Sequence, residues 1–317
     1  MKQREVIGKK VVAVLNSIVN LAVLFSMLLL ILFGSYALWD SNQLFKAADS
    51  SLYSMYKPTT EENVSFKDLQ KTNKDIFGWL TVYGTNIDYP LLQGETNEKY
   101  LSKNIHGEYT VSGSLFLDYR NSQNFTDFNS IIYGHHMEKD VMFGEIEHFS
   151  GRTYFDEHKF GNLFYDGKDH GIEFFAFLEV DAYDTSVYNV AVPERLSSQY
   201  LNNLLTLAKN TREIGVTASD KIVLLSTCTS DTTNGRHILV GRIKKETYSD
   251  TFKEHAVNGD VNKRTDNPDF LERLKQIPVW IWIILIILVL FVAFIVYKKV
   301  SKKMQGTNNK GTKRHEQ

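Results

Sequence analysis

Two long stretches without a single charged residue limit what this chain can fold into. They are "VVAVLNSIVNLAVLFSMLLLILFGSYALW" (residues 11–39) and "IPVWIWIILIILVLFVAFIVY" (residues 277–297). Each is long enough to cross the roughly 30 Å hydrocarbon core of a bilayer as a helix. Basic residues flank their outer ends: Lys2, Arg4, Lys9 and Lys10 before the first, and Lys298, Lys299, Lys302 and Lys303 after the second. That bias places both termini in the cytoplasm. The first stretch exceeds the apolar region of a secretory signal, and "GSYALWD" offers no small-x-small cleavage site, so the expectation is an uncleaved anchor.

The part between the two stretches is then extracytoplasmic. The whole chain has a formal charge of −1, but residues 40–276 carry 25 Lys and Arg against 35 Asp and Glu, a balance of −10. An acidic exported portion argues against nucleic acid as a partner, because phosphate binding needs clustered basic side chains. A single cysteine, Cys228, excludes an internal disulfide.

Texture divides the exported portion. Residues 40–75 are polar with scattered apolar positions, which suggests short helices leading away from the membrane. From residue 76 to about 250, aromatic and β-branched runs alternate with Gly, Asn and Asp: "GWLTVYGTNIDYPLLQ", "GSLFLDY", "NSIIYGHH", "GIEFFAFLEVDAY", "KIVLLSTC" and "RHILVGRI". Short strands at this spacing predict a closed barrel or sandwich. Helical interruptions are expected at 140–149 and 194–210, the second with apolar residues at helical spacing. Residues 251–276 read as a polar linker and 298–317 as a basic cytoplasmic tail after a 1–10 tail at the other end.

Within "KIVLLSTCTSDTTNGRH", Cys228 stands at the end of a strand-like run and before a turn-like one. A buried cysteine is ordinarily a small hydrophobe. In an exported domain a solitary thiol is exposed to oxidation, which favours a reactive role. The thiolate is the nucleophile, and at an ordinary pKa of about 8.5 only a few per cent is ionised near neutrality, so a cationic neighbour would help. Arg236, across the turn, offers a fixed fork of donors suited to an oxyanion, although a strand-end surface charge explains it equally well. Among nine histidines, His135 and His136 close another apolar run, "SIIYGHHM", where an imidazole could meet a strand-end cysteine. Adjacent strand residues point to opposite faces, so this pair is poorly placed to share a metal.

These segments resemble the sortases, membrane-anchored cysteine transpeptidases of Gram-positive bacteria, and specifically class B. The resemblance covers roughly residues 70–245 and rests on "GWLTVYGTNIDYPLLQ", "GSLFLDYRN", "IIYGHHMEKDVMFGEI" and "LLSTCTSDTTNGRHILVGR". It implies an eight-stranded sortase-type β-barrel with N-terminal and inserted helices, here flanked by two transmembrane helices. It also implies a site of His135, Cys228 and Arg236 that works without a cofactor or metal. The implied reaction cleaves a C-terminal sorting signal through a thioester acyl-enzyme and passes the protein to an amine.

The implied partners are surface proteins or pilin subunits bearing that signal. The acceptor amine would come from a pilin lysine or a cell-wall peptide. The second membrane segment favours pilus assembly over wall anchoring. The run before the cysteine, Leu224-Leu225-Ser226-Thr227, departs from the family's Thr-Leu-x-Thr, and a short loop up to Arg236 leaves the role of Asp231 open. A non-enzymatic sensor held by two membrane helices fits the same topology, but the short tails leave no room for a signalling domain. A papain-like hydrolase would place its cysteine first, at a helix start, whereas here the histidine comes first.

Overall fold

A computed structural model describes residues 2–58, 64–228 and 234–253, with residues 286, 294, 297 and 298. The expected second membrane segment, most of the 251–276 linker, the basic tail and Asp231 lie outside the described residues. The chain divides into two compact units, one of residues 37–258 and one holding residues 1–36 with 259–317.

Helix α1 (Lys2–Ala47) contains the first apolar stretch and runs past both its expected ends. By length and composition it can cross a membrane, and none of its most apolar window is buried in protein. Such a helix is a membrane anchor or a signal sequence. Asp49 then stops the helical path, its side chain accepting the Ser51 amide at 2.9 Å to cap a 3-10 turn over Ser50–Tyr56. Helix α2 (Val64–Thr72) precedes the first strand.

The strands are β1 (Ile76–Val82), β2 (Asp88–Leu92), β3 (Leu115–Leu117), β4 (Asn129–Tyr133), β5 (Phe160–Tyr165), β6 (Lys168–Asp181), β7 (Ala208–Thr211), β8 (Lys221–Cys228) and β9 (Gly235–Lys244). They follow the order β5-β1-β2-β3-β4-β8-β9-β6-β7, and β5 also pairs with β6. That extra pairing closes eight strands into a barrel, with β7 outside it on β6. The first half of β6 lies between β5 and β9, and the second half between β9 and β7. A register shift between Phe174 and Ala176 marks the change, where a bulge lets the strand bend.

Strands β4, β8 and β9 are covered on both faces, which explains their unbroken apolar runs. Ile132, Val223, Leu225 and Leu239 point into the barrel core. Their neighbours Ile131, Leu224, Ile238 and Val240 join a second core with Tyr200, Leu201 and Leu204. Those three belong to helix α4 (Glu194–Leu207), whose apolar positions recur at helical spacing. On β1, buried Trp79 donates its indole N–H to Asp88 at 2.7 Å, and Lys57 reaches the same carboxylate at 2.6 Å. This fastens the N-terminal segment to the barrel wall.

Three expectations needed correction. The helix predicted over 140–149 is instead an irregular loop followed by a 3-10 turn at Gly144–Ser150, with helix α3 at Arg152–Glu157. Asp140 and Met142 have left-handed backbones, φ 57° and 55°, which no α-helix accommodates. The helix predicted over 194–210 stops at Leu207, because the following residues pair with β6 as β7 and the Asn210 amide donates to the carbonyls of Phe149 and Ser150. Strand β5 was missed altogether. Its Gly161 is required by pairing with β1, since a Cβ there would sit 2.5 Å from the Thr81 carbonyl oxygen.

Candidate active site

Three adjacent strands bring the predicted site residues to one edge of the barrel. β4 and β8 run parallel, with Tyr133 opposite Ser226, and the Gly134 amide extends the ladder by donating to the Ser226 carbonyl at 3.2 Å. His135 and Cys228 each lie two residues beyond the last pair of that ladder. β8 and β9 run antiparallel, with Cys228 opposite Arg236. The two halves of the site, far apart in sequence, are therefore set by backbone pairing.

The glycine before His135 has a steric reason. A Cβ at Gly134 would collide with the side chains of Leu115 and Phe143, so the chain can leave β4 along this path only without one. The half-buried His135 ring is held from the opposite wall, its Nε2–H donating to the Leu101 carbonyl at 2.7 Å. A carbonyl can only accept, so this contact fixes the proton on Nε2 and leaves Nδ1 as the nitrogen that can exchange one. His136 turns elsewhere, with its Nε2 2.8 Å from Glu147. Arg236 is half-buried and its Nη1 donates to its neighbour's carbonyl, that of Gly235, at 2.8 Å.

A groove of about 320 Å3 runs along this edge, lined among others by Leu101, Tyr133, His135, Tyr188, Thr227 and Arg236. Its walls are mostly apolar and aromatic, with a few polar groups aimed inward, as in peptide-binding clefts. The Tyr188 and Ser226 hydroxyls are 2.8 Å apart and tie one wall to β8. The Thr227 hydroxyl, beside Cys228, is buried and has no hydrogen-bond partner among the described residues.

Behind the groove lies an anchor that sequence reasoning passed over, although it stands inside the quoted "GSLFLDYRN". Asp118 is fully buried and receives Arg120 in a two-pronged contact, Nε to Oδ1 and Nη2 to Oδ2, each 2.8 Å. The same carboxylate accepts the Asn97 amide at 2.9 Å and the Tyr133 hydroxyl at 3.1 Å, both from groove-lining residues. Burial pushes the Asp118 carboxyl up, but the hydrogen bonds from Arg120 and Asn97 outweigh it and hold the group below the usual carboxylate range. Only an alternating pattern placing Asp118 on an inward position, with Arg120 two residues on, could have signalled this pairing.

A strand end carrying a cysteine, an imidazole and a guanidinium at one edge of an eight-stranded barrel, beside a largely apolar groove, is an arrangement that thiol chemistry could use. No family model matches the chain. Sortase B of Listeria monocytogenes is 33% identical over 209 residues, which span 64% of this chain and 85% of the relative. A crystal structure of sortase B from the Type II pilus of Streptococcus pneumoniae is 45% identical, with a TM-score of 0.50, covering 57% of this chain and 99% of that one. A Streptococcus pyogenes class B sortase involved in pilus biogenesis is 42% identical, with a TM-score of 0.53, covering 57% of this chain and 98% of that one.

The chain belongs to the sortase B family, whose members are cysteine transpeptidases.

The depressed pKa of Asp118 has a stability consequence. A carboxyl held below its unfolded value of about 4 contributes its full stabilisation above that pH and loses it as the pH falls through the folded value. Replacing it by Asn should cost about 2 kcal/mol at pH 7, the scale of a hydrogen bond to a charged group. Urea titrations at pH 7 and below pH 4 should show that gap narrowing in acid. A variant that loses stability on acidification as steeply as the parent would contradict the assignment.

Proposed function

We propose that this protein is a membrane-held transpeptidase that acts on a C-terminal sorting signal and joins pilin subunits through a lysine amine. The observation that supports the chemistry is the strand register: Cys228 pairs with Arg236 across β8 and β9, and His135 follows two residues after the end of β4, the other neighbour of β8. The Cys228 thiol first passes its proton to Nδ1 of His135; the resulting thiolate attacks the signal's threonine carbonyl, and the carbonyl π bond opens to an oxyanion that Arg236 stabilises. Collapse of that intermediate breaks the peptide bond, and the departing amine takes a proton from Nδ1 of His135. The product is a thioester on Cys228. An incoming amine then attacks the thioester, gives its proton back to His135, and expels the thiolate as a new amide forms.

The groove supports a peptide donor. Its apolar walls suit an extended, largely apolar peptide segment. Two features favour a pilin acceptor. The two solved relatives described above as pilus enzymes are 45% and 42% identical, against 33% for the Listeria sortase B. The sequence also carries the second apolar stretch at 277–297, which would hold both ends of the barrel at the membrane where exported subunits are still anchored. Confinement of that kind raises the effective concentration of both substrates.

A lysine acceptor with an ordinary pKa of about 10.4 is mostly protonated near neutrality, so a folded pilin that helps to deprotonate it should outperform a short amine. Full-length enzyme in detergent, given a sorting-signal donor, should build a ladder of covalent pilin multimers and use a wall-type peptide amine more slowly. Equal use of the peptide amine, or no ladder, would make cell-wall anchoring the better account. In the same assay His135→Ala should lose at least about 10²-fold in rate, the low end for a missing general acid and base, while His136→Ala loses far less. The reverse order would show that the wrong imidazole has been chosen.

A further inference from the structure

The loop that presents His135 does not hold its own shape. It leaves β4 and returns on itself, the Phe143 amide donating to the His135 carbonyl at 3.0 Å and His136 bridging Met142. Between these contacts lie three non-glycine residues with left-handed backbones: Lys139 (φ 62°), Asp140 (φ 57°) and Met142 (φ 55°). Each such residue costs on the order of 1 kcal/mol or more, so outside contacts must maintain the loop.

Two contacts do so, and both lead to the end of α1. Met142 is 3% exposed, and its amide donates to the Tyr89 hydroxyl at 3.0 Å. Tyr89, on β2, is itself 3% exposed and gives its own proton to the Ala48 carbonyl at 3.0 Å. Burial raises the phenol's pKa, so it remains a donor at any working pH. A tyrosine hydroxyl has one proton to donate, and here it is spent on Ala48 while a lone pair receives Met142. Nearer the surface, the Lys139 ammonium lies 4.3 Å from the centre of the Phe45 ring. Phe45 and Ala48 belong to the same compact unit as the barrel.

We propose that Tyr89 is a positioning residue for the transpeptidation: by bridging Ala48 and Met142 it fixes the strained loop and so the backbone from which His135 faces the groove. This rests on His135 being the proton-transfer residue. Removing the hydroxyl leaves the Met142 amide and the Ala48 carbonyl buried without that partner, and the loop relaxes toward ordinary backbone angles. Displacement of a reacting group by about 1 Å can cost on the order of 10²-fold in rate, so a partial displacement should cost about 10-fold. Binding of the donor depends on the groove walls and should change little.

The test uses full-length enzyme in detergent. Tyr89→Phe should lower the rate at saturating donor about 10-fold, leave KM within about 2-fold, and speed amide exchange of the peptide covering residues 136–143. Phe45→Ala, which removes only the surface contact, should move the same readouts by a smaller factor, and it decides the question if Tyr89→Phe does not fold. A merely structural role would lower Tm yet leave the rate of the folded enzyme untouched. That outcome, or a change in KM alone, would overturn the proposal. If His135→Ala itself kept full rate, the histidine assignment would fail instead, while the exchange data would still report whether Tyr89 holds the loop.

Discussion

The parallel pairing of β4 with β8 is the constraint on which the rest of the molecule depends. Parallel neighbours cannot be joined by a tight turn, so the chain between Tyr133 and Lys221 must travel around the barrel before returning. On that path it builds the strained loop, helices α3 and α4, and strands β5 to β7. The path also leaves both strand ends on the same edge, where the sheet's hydrogen bonds run out and side chains can act. Cys228 and Arg236 therefore sit at the ends of central strands, and strand and loop residues together line the groove beside them.

That edge is stabilised from behind by polar groups and from within by apolar ones. Leu225 and Leu239 fill the barrel beneath the site, while Leu224 and Val240 pack on the other face against the core that α4 completes. The polar anchor at Asp118 holds Tyr133 and Asn97 without leaving an unpaired charge, because Arg120 neutralises the carboxylate. Removing one partner from such an arrangement is far more costly than never having built it. The Leu101 carbonyl does a different task, selecting the imidazole tautomer through a single hydrogen bond.

Much of this was legible in the residues. Strands buried on both faces announce themselves as unbroken apolar runs, so β4, β8 and β9 could be read directly, and with them the positions of His135, Cys228 and Arg236. Strand β5 was obscured because its pairing with β1 demands a glycine, which reads as a turn. The loop after His135 was misread as a helix because the hydrogen bonds that set its backbone angles, at the Met142 and Phe143 amides, go to residues distant in sequence or across the loop. Contacts made by backbone atoms, such as the Leu101 carbonyl, carry no signature in side-chain identity. The same holds for Tyr89, whose partners on both sides are main-chain groups.

The central claim is that Cys228 carries the substrate as a thioester, with its neighbours serving that step. Intact-mass spectrometry of the full-length enzyme, quenched in acid after mixing with a sorting-signal peptide and no acceptor, tests it most directly. The account predicts an added mass equal to the peptide fragment ending in its threonine less one water, located on Cys228, released by hydroxylamine and absent from Cys228→Ala. An enzyme that cleaves the peptide with no such adduct, or whose Cys228→Ala variant still cleaves it, would contradict the account.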